Sequence, residues 1–138
     1  MPNEGYKFVK GPTSDVKFEA YGKSLNELFE NAALAVSSVM CDVRKVKARK
    51  VVEVAIEGRD SQDLLFDWIN QVIALVDING MFFSKFKVNV SGKSLKAECY
   101  GEEAKPENSL TVVKSATYHE FKLGNSGDGW KATIVLDI

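Results

Sequence analysis

The sequence predicts an α+β fold: a single domain, residues 1–138, with a largely antiparallel or mixed β-sheet packed with two α-helices. Three observations carry this prediction. Two segments repeat apolar residues at helical spacing. The remaining apolar segments alternate or are rich in β-branched residues, as strands do. Short turn sequences join the C-terminal strands into hairpins. A chain of 138 residues suits one domain, and no repeat, low-complexity tract or linker divides it. Its 45% hydrophobic content is enough for a core, and a domain of this size buries about 70% of its unfolded surface.

Tyr6 to Val9 is expected to form a short strand, followed by a loop at Gly11-Pro12-Thr13-Ser14. Asp15 to Tyr21 alternates: Val16, Phe18 and Ala20 face one way, and Asp15, Lys17, Glu19 and Tyr21 the other. Ser24 opens the first helix as an N-cap, with Glu27 completing a capping box. Leu25, Leu28, Phe29, Ala32, Ala33, Val36 and Val39 form its apolar stripe, which ends near Met40-Cys41. Val46 to Glu57 reads as a strand broken by Gly58. Asp60-Ser61 starts the second helix, whose wide apolar face runs from Leu64 to Val76 and which ends at Asp77 to Gly80. Strands follow at Met81 to Val90, Ser94 to Tyr100, Thr111 to Leu123 and Gly129 to Asp137. In the last strand Trp130, Ala132, Ile134 and Leu136 take the core face, leaving Asp137 on the wet face with Lys131 and Thr133.

The net charge of −1 argues against a broad basic face for nucleic acid, so no stable direct RNA binding is expected. Cys41 and Cys99 lie in apolar stretches without CxxC spacing, which predicts two buried free thiols in a reducing cytosol. The N-terminal Met-Pro-Asn-Glu-Gly predicts no secretory signal. The longest apolar run is far short of a membrane span, so no membrane role is expected.

The chain has no P-loop, no GxSxG and no HExxH motif. His119 is the only histidine, which rules out a multi-histidine metal site; on an alternating strand it is expected to be hydrogen-bonded and structural. Core packing is the expectation for both cysteines and for Phe82-Phe83. Asp63 and Asp67 lie one helical turn apart, where a solvated helix face suits them and Asp63 suits the helix dipole. Lys114 shares its parity with Val112 and Ala116, so it either snorkels to solvent or pairs with an acid. The terminal Leu136-Asp137-Ile138 places the Asp137 side chain beside the α-carboxylate of Ile138. The two negative groups are either an accident of a sheet edge or half of a metal site that needs a third acid. Asp15 lies on a comparable wet face at a strand end, and whether the two ends meet stays open.

An ordered set of segments resembles the archease family. These are Thr13-Ser14-Asp15-Val16, Ala20-Tyr21-Gly22-Lys23, Phe29-Glu30-Asn31-Ala32-Ala33-Leu34-Ala35 and Leu64-Leu65-Phe66-Asp67-Trp68-Ile69-Asn70, then Phe83-Ser84 with Phe86. Leu95-Lys96-Ala97-Glu98, Tyr100-Gly101-Glu102, Val113-Lys114-Ser115-Ala116-Thr117-Tyr118-His119 and Leu136-Asp137-Ile138 complete it, so that it spans almost the whole chain. The resemblance implies a small cytoplasmic protein cofactor, not itself an enzyme, that activates the RtcB-type RNA ligase of tRNA splicing and RNA repair. Such proteins promote guanylylation of the ligase and its multiple turnover. The resemblance further implies a metal site at Asp15, Asp137 and Ile138, and a role in activation for Lys114. Three carboxylates offer hard oxygen ligands, which suit a divalent metal such as Ca²⁺, Mg²⁺ or Mn²⁺ better than zinc. The pattern departs from the family at Gly11-Pro12, where an acidic residue and a histidine are usual, and at Lys17, often a glycine.

Two other functions compete with this one. The first is a chaperone-like modulator of an RNA-processing enzyme such as an RNA methyltransferase. The second, a small metal-dependent phosphohydrolase, lacks an evident general base beyond the metal ligands.

Overall fold

The structure, a computed structural model, describes residues 5–10 and 15–138. The expected loop at Gly11 to Ser14, with the departure at Gly11-Pro12, lies outside the described residues. The elements run β1 (Tyr6–Val9), β2 (Asp15–Gly22), α1 (Leu25–Met40), β3 (Lys50–Glu57), α2 (Ser61–Asn79), β4 (Met81–Ser91), β5 (Ser94–Glu103), β6 (Ser115–Asn125) and β7 (Trp130–Asp137). The strands form two sheets, ordered β1-β2-β7-β6 and β3-β5-β4, and every pairing is antiparallel. The α+β prediction holds, with two sheets where one was expected.

Helix α1 joins the two layers, because it packs on β2 of the first sheet and β4 of the second. Its buried stripe includes Leu28, Phe29, Ala32, Ala33 and Val36, as the helical spacing required. Glu27 N–H donates to Ser24 Oγ, and Glu27 Oε1 accepts from the Lys23 N–H, one residue ahead of the cap. In α2, Asp60 caps the helix through the Asp63 N–H. Gly80 ends it in the left-handed conformation (φ +62°), which favours glycine. Trp68 is fully buried between the helices, and its indole N–H donates to the Phe29 carbonyl at 3.0 Å.

The predicted core faces hold: Phe18, Ala20, Ala132, Ile134 and Leu136 are buried. Gly101 is needed because a Cβ there would sit 1.9 Å from the Phe82 carbonyl oxygen, beside the register shift between Phe83 and Lys85. Both cysteines are buried free thiols. Burial pushes the Cys99 thiol up to about 12.

Two strand starts differ from the sequence reading. β3 begins at Lys50 rather than Val46, since Val43–Lys45 makes a 3₁₀ turn and Val46 buries itself against Cys41 and Phe82. β6 begins at Ser115 rather than Thr111. The N–H groups of Leu110 and Thr111 donate instead to the Met40 and Val39 carbonyls, which the end of α1 leaves without helical partners.

The helices also close sheet edges. Asn26 and Glu30 of α1 accept the Val90 and Val88 N–H groups on β4, and Asn70 of α2 accepts the Ala116 N–H on β6. An edge strand otherwise presents unpaired backbone groups to other chains.

Candidate functional site

The question left open by the sequence is answered by strand register. β2 lies beside β7, and Asp15 is the direct cross-strand partner of Asp137. Residues so paired share a sheet face, with Cβ atoms about 5 Å apart. Ser115 opposes Asp137 from the other flank, so Asp15, Asp137 and Ser115 form one row across three strands. The Lys114 N–H donates to the Asp137 carbonyl at 2.8 Å. Ile138 follows and is exposed. Asp15 and Asp137 therefore meet at one end of the outer face of the first sheet, and the backbones of Lys114 and Ile138 lie at the same end.

Lys114 is placed differently from the sequence expectation. It precedes β6 instead of lying within a strand, and Val113 and Ala116 are buried while Val112 and Lys114 are exposed. The alternation breaks because the backbone at Leu110 and Thr111 is tied to α1. The Lys114 side chain points to solvent without an acidic partner among the described residues.

The charges on this face divide into two groups. At its far end Glu19 accepts from the Tyr21 hydroxyl at 2.6 Å and lies near Lys131 and Lys7, at 3.3 and 3.6 Å. The tyrosine hydrogen bond, with help from Lys131, holds the Glu19 carboxyl below its ordinary range, and burial with the Glu19 bond pushes Tyr21 up to about 12. The Asp15/Asp137 pair has no such compensation: neither side chain forms an ion pair among the described residues. Two like charges set opposite each other repel, by a few tenths of a kcal/mol on a wet sheet face. Two half-buried carboxylates without a counter-charge are a hard-oxygen donor set that suits a divalent cation such as Ca²⁺, Mg²⁺ or Mn²⁺. Among the described residues no cluster of three His, Cys, Asp or Glu side chains could hold a metal ion, so further ligands to this pair would be main-chain oxygens or water.

The next row holds Lys17, which the sequence marked as a departure from the family pattern. Lys17 opposes Val135, which opposes Thr117. Beyond Thr117, β6 advances five residues to Lys122 while β7 advances two, from Val135 to Thr133. The extra chain bulges, with Glu120 in the left-handed conformation (φ 56°), a strain of about 1–3 kcal/mol for a non-glycine residue. Phe66 of α2 anchors it, stacking on Tyr118 at 3.8 Å and meeting the buried Phe121 edge-on at 5.5 Å. Glu120 then takes the Lys17 ammonium at 2.7 Å, spanning β7. Val135 is fully buried there although it faces outward. His119 also lies in this bulge. It lies within β6 as expected but is exposed, with its Nε2 3.3 Å from a Glu120 carboxylate oxygen. Strict alternation hides such a bulge. The edge-closing Asn26 and Glu30 did leave a signal, their i, i+4 spacing on one face of α1.

The profile of the Archease protein family matches residues 6–138. The chain belongs to the archease family. Among relatives, the protein archease of Sulfurisphaera tokodaii is 45% identical over 130 residues, covering 91% of this chain and 94% of its own. That of Methanosarcina acetivorans is 38% identical with both chains covered in full. The solution structure of Methanobacterium thermoautotrophicum protein 1598 superposes with a TM-score of 0.85 at 35% identity, covering 97% of this chain and 99% of that one. An archease from Thermotoga maritima, described as a possible chaperone, shares the fold at a TM-score of 0.68 and 23% identity, over 94% and 98% of the two chains. The ordered motifs of the sequence thus lead to the same family as these comparisons.

Proposed function

We propose that this archease is a protein cofactor that activates an RtcB-type RNA ligase, promoting its guanylylation and its repeated turnover in tRNA splicing and RNA repair. It acts on an enzyme and is not itself the catalyst, and it works in the cytoplasm. The observation that carries the reading is the register that sets Asp15 opposite Asp137 on an outer face, with neither side chain in an ion pair among the described residues. Asp15, Asp137 and Ile138 would hold a divalent metal, Ca²⁺ or Mg²⁺/Mn²⁺. When bound, the ion supplies positive charge and exchangeable coordination positions that phosphate oxygens can share.

The chain's own residues then have separable tasks. Asp15 and Asp137 provide the hard donors and are fixed by the β2/β7 ladder. Lys114, tied to the Asp137 carbonyl through its backbone, presents an ammonium without an ion-pair partner among the described residues, suited to a phosphate or to an acidic group of the ligase. The test is guanylylation and RNA joining by the cognate ligase with GTP and Mn²⁺. Addition of the chain is expected to speed guanylylation and to convert single turnover into multiple turnover, with Lys114→Ala losing most of the gain. No gain with the wild-type chain would overturn the reading.

A second reading, chaperone-like modulation of another RNA-processing enzyme such as an RNA methyltransferase, is favoured by the exposed apolar side chains of Ile78, Leu110 and Val112. Suppressed aggregation of such an enzyme, without any effect on the ligase, would support it.

A further inference from the structure

We propose that Glu120 is a positioning residue that holds the Lys17 ammonium away from Asp15 and Asp137, keeping the acid pair open for a divalent cation. This rests on the reading of that pair as a cation site.

Lys17 and Asp15 are two residues apart on β2 and share the outer face. A lysine so placed is an internal competitor for the Asp15/Asp137 charge from within the same face, since its long stem sweeps over adjacent rows of the sheet. Its ammonium instead meets Glu120 at 2.7 Å and pairs with neither aspartate among the described residues. The acceptor is well fixed. Tyr118 and Phe121 flank Glu120 in sequence and are pinned by Phe66, and the backbone at Glu120 is bent into the left-handed region to bring its carboxylate over β7. The Lys17 side chain is one-fifth exposed, so its position is set by contact more than by solvent. The hydrogen bond from Lys17 also holds the Glu120 carboxyl below its ordinary range. Freed from Glu120, Lys17 would find Glu19 on one side, already near Lys131 and Lys7, and on the other the two aspartates, which pair with no cation among the described residues.

The experiment is a calorimetric Mn²⁺ titration of the full chain with a free C-terminus, at low ionic strength, as a double-mutant cycle. Glu120→Ala is expected to weaken Mn²⁺ binding about three- to fivefold, the scale of one exposed ion pair. Lys17→Met is expected to bind at least as tightly as wild type. In the Lys17→Met background, Glu120→Ala is expected to change the affinity by less than about twofold, because the competitor is gone. Melting without Mn²⁺ reports the fold separately, and Glu120→Asp is expected to restore part of the affinity. An equal loss in both backgrounds would overturn the proposal, because Glu120 would then act by its own long-range charge. An unchanged affinity for Glu120→Ala would overturn it as well. Asp15→Asn separates the two readings: if it leaves Mn²⁺ binding intact, the acid pair is no cation site and both fail. If it abolishes binding while the cycle shows no coupling, only the Lys17–Glu120 proposal fails.

Discussion

Asp15 and Asp137 can be separated as ligands and as charges. Without a divalent ion, Asp137→Asn removes a like-charge repulsion and is expected to raise stability by a few tenths of a kcal/mol. With Ca²⁺ or Mn²⁺, wild type is expected to gain melting temperature with ion concentration, as any ligand of the folded state requires. Asp15→Asn and Asp137→Asn are expected to lose that gain, and a chelator to erase it in wild type. Thermal melts across an ion series check these outcomes, and equal ion-induced shifts in every variant would refute the assignment. The thiols offer a second residue-scale prediction. Cys41 and Cys99 are buried, and burial pushes both thiols up. Both are therefore expected to resist a thiol reagent in the native state and to react at once in denaturant, read by absorbance of the released chromophore. The burial of both cysteines was legible from their apolar neighbours. The meeting of Asp15 with Asp137 was not, because alternation gives a residue its face but never its cross-strand partner.

The elements show where local pattern suffices and where tertiary contact decides. Both helices were readable from capping residues and apolar spacing, because each signal lies within a few residues of its effect. The start of β6 was not, since Thr111 and Leu110 satisfy the carbonyls at the end of α1, an acceptor seventy residues away in sequence. The bulge at Tyr118–Phe121 was hidden for the same reason: its support comes from Phe66 on α2. This gives two expected outcomes. Asn70→Ala leaves the Ala116 N–H without its acceptor and should cost about 1–2 kcal/mol in urea unfolding. It should also speed amide exchange at Ala116 while leaving β4 protected. Tyr118→Ala removes the stack on Phe66 and should cost about 1 kcal/mol. Equal exchange at Ala116 in wild type and Asn70→Ala would contradict the edge-closing role.

At the scale of the whole molecule, pH should act through groups far from the acid pair. Glu102 on β5 accepts the Lys47 N–H at 2.9 Å, and this bond, with Arg49 nearby, holds its carboxyl below the ordinary range. Its folded value lies below its unfolded one, so its stabilising contribution is complete above the ordinary glutamate pKa of about 4.3 and is lost as pH falls through the folded value. Tyr21 works in the opposite direction: its folded value of about 12 lies above the unfolded one. Its contribution is present below about pH 10 and is lost as pH rises toward the folded value. Melting temperature is expected to fall in both windows, with Glu102→Gln flattening the acid limb and Tyr21→Phe the alkaline one. The two helices, the antiparallel hairpins and the family were all readable from one chain. The division into two sheets bridged by α1 was not, because it depends on which edges the helices close. The central claim, that strand register makes Asp15 and Asp137 a divalent-cation site, is tested most directly by a crystal structure of the untagged chain grown with Mn²⁺. The account predicts an anomalous peak about 2.0–2.6 Å from carboxylate oxygens of Asp15 and Asp137. Saturating Mn²⁺ with no peak there, or with the ion held elsewhere, would contradict it.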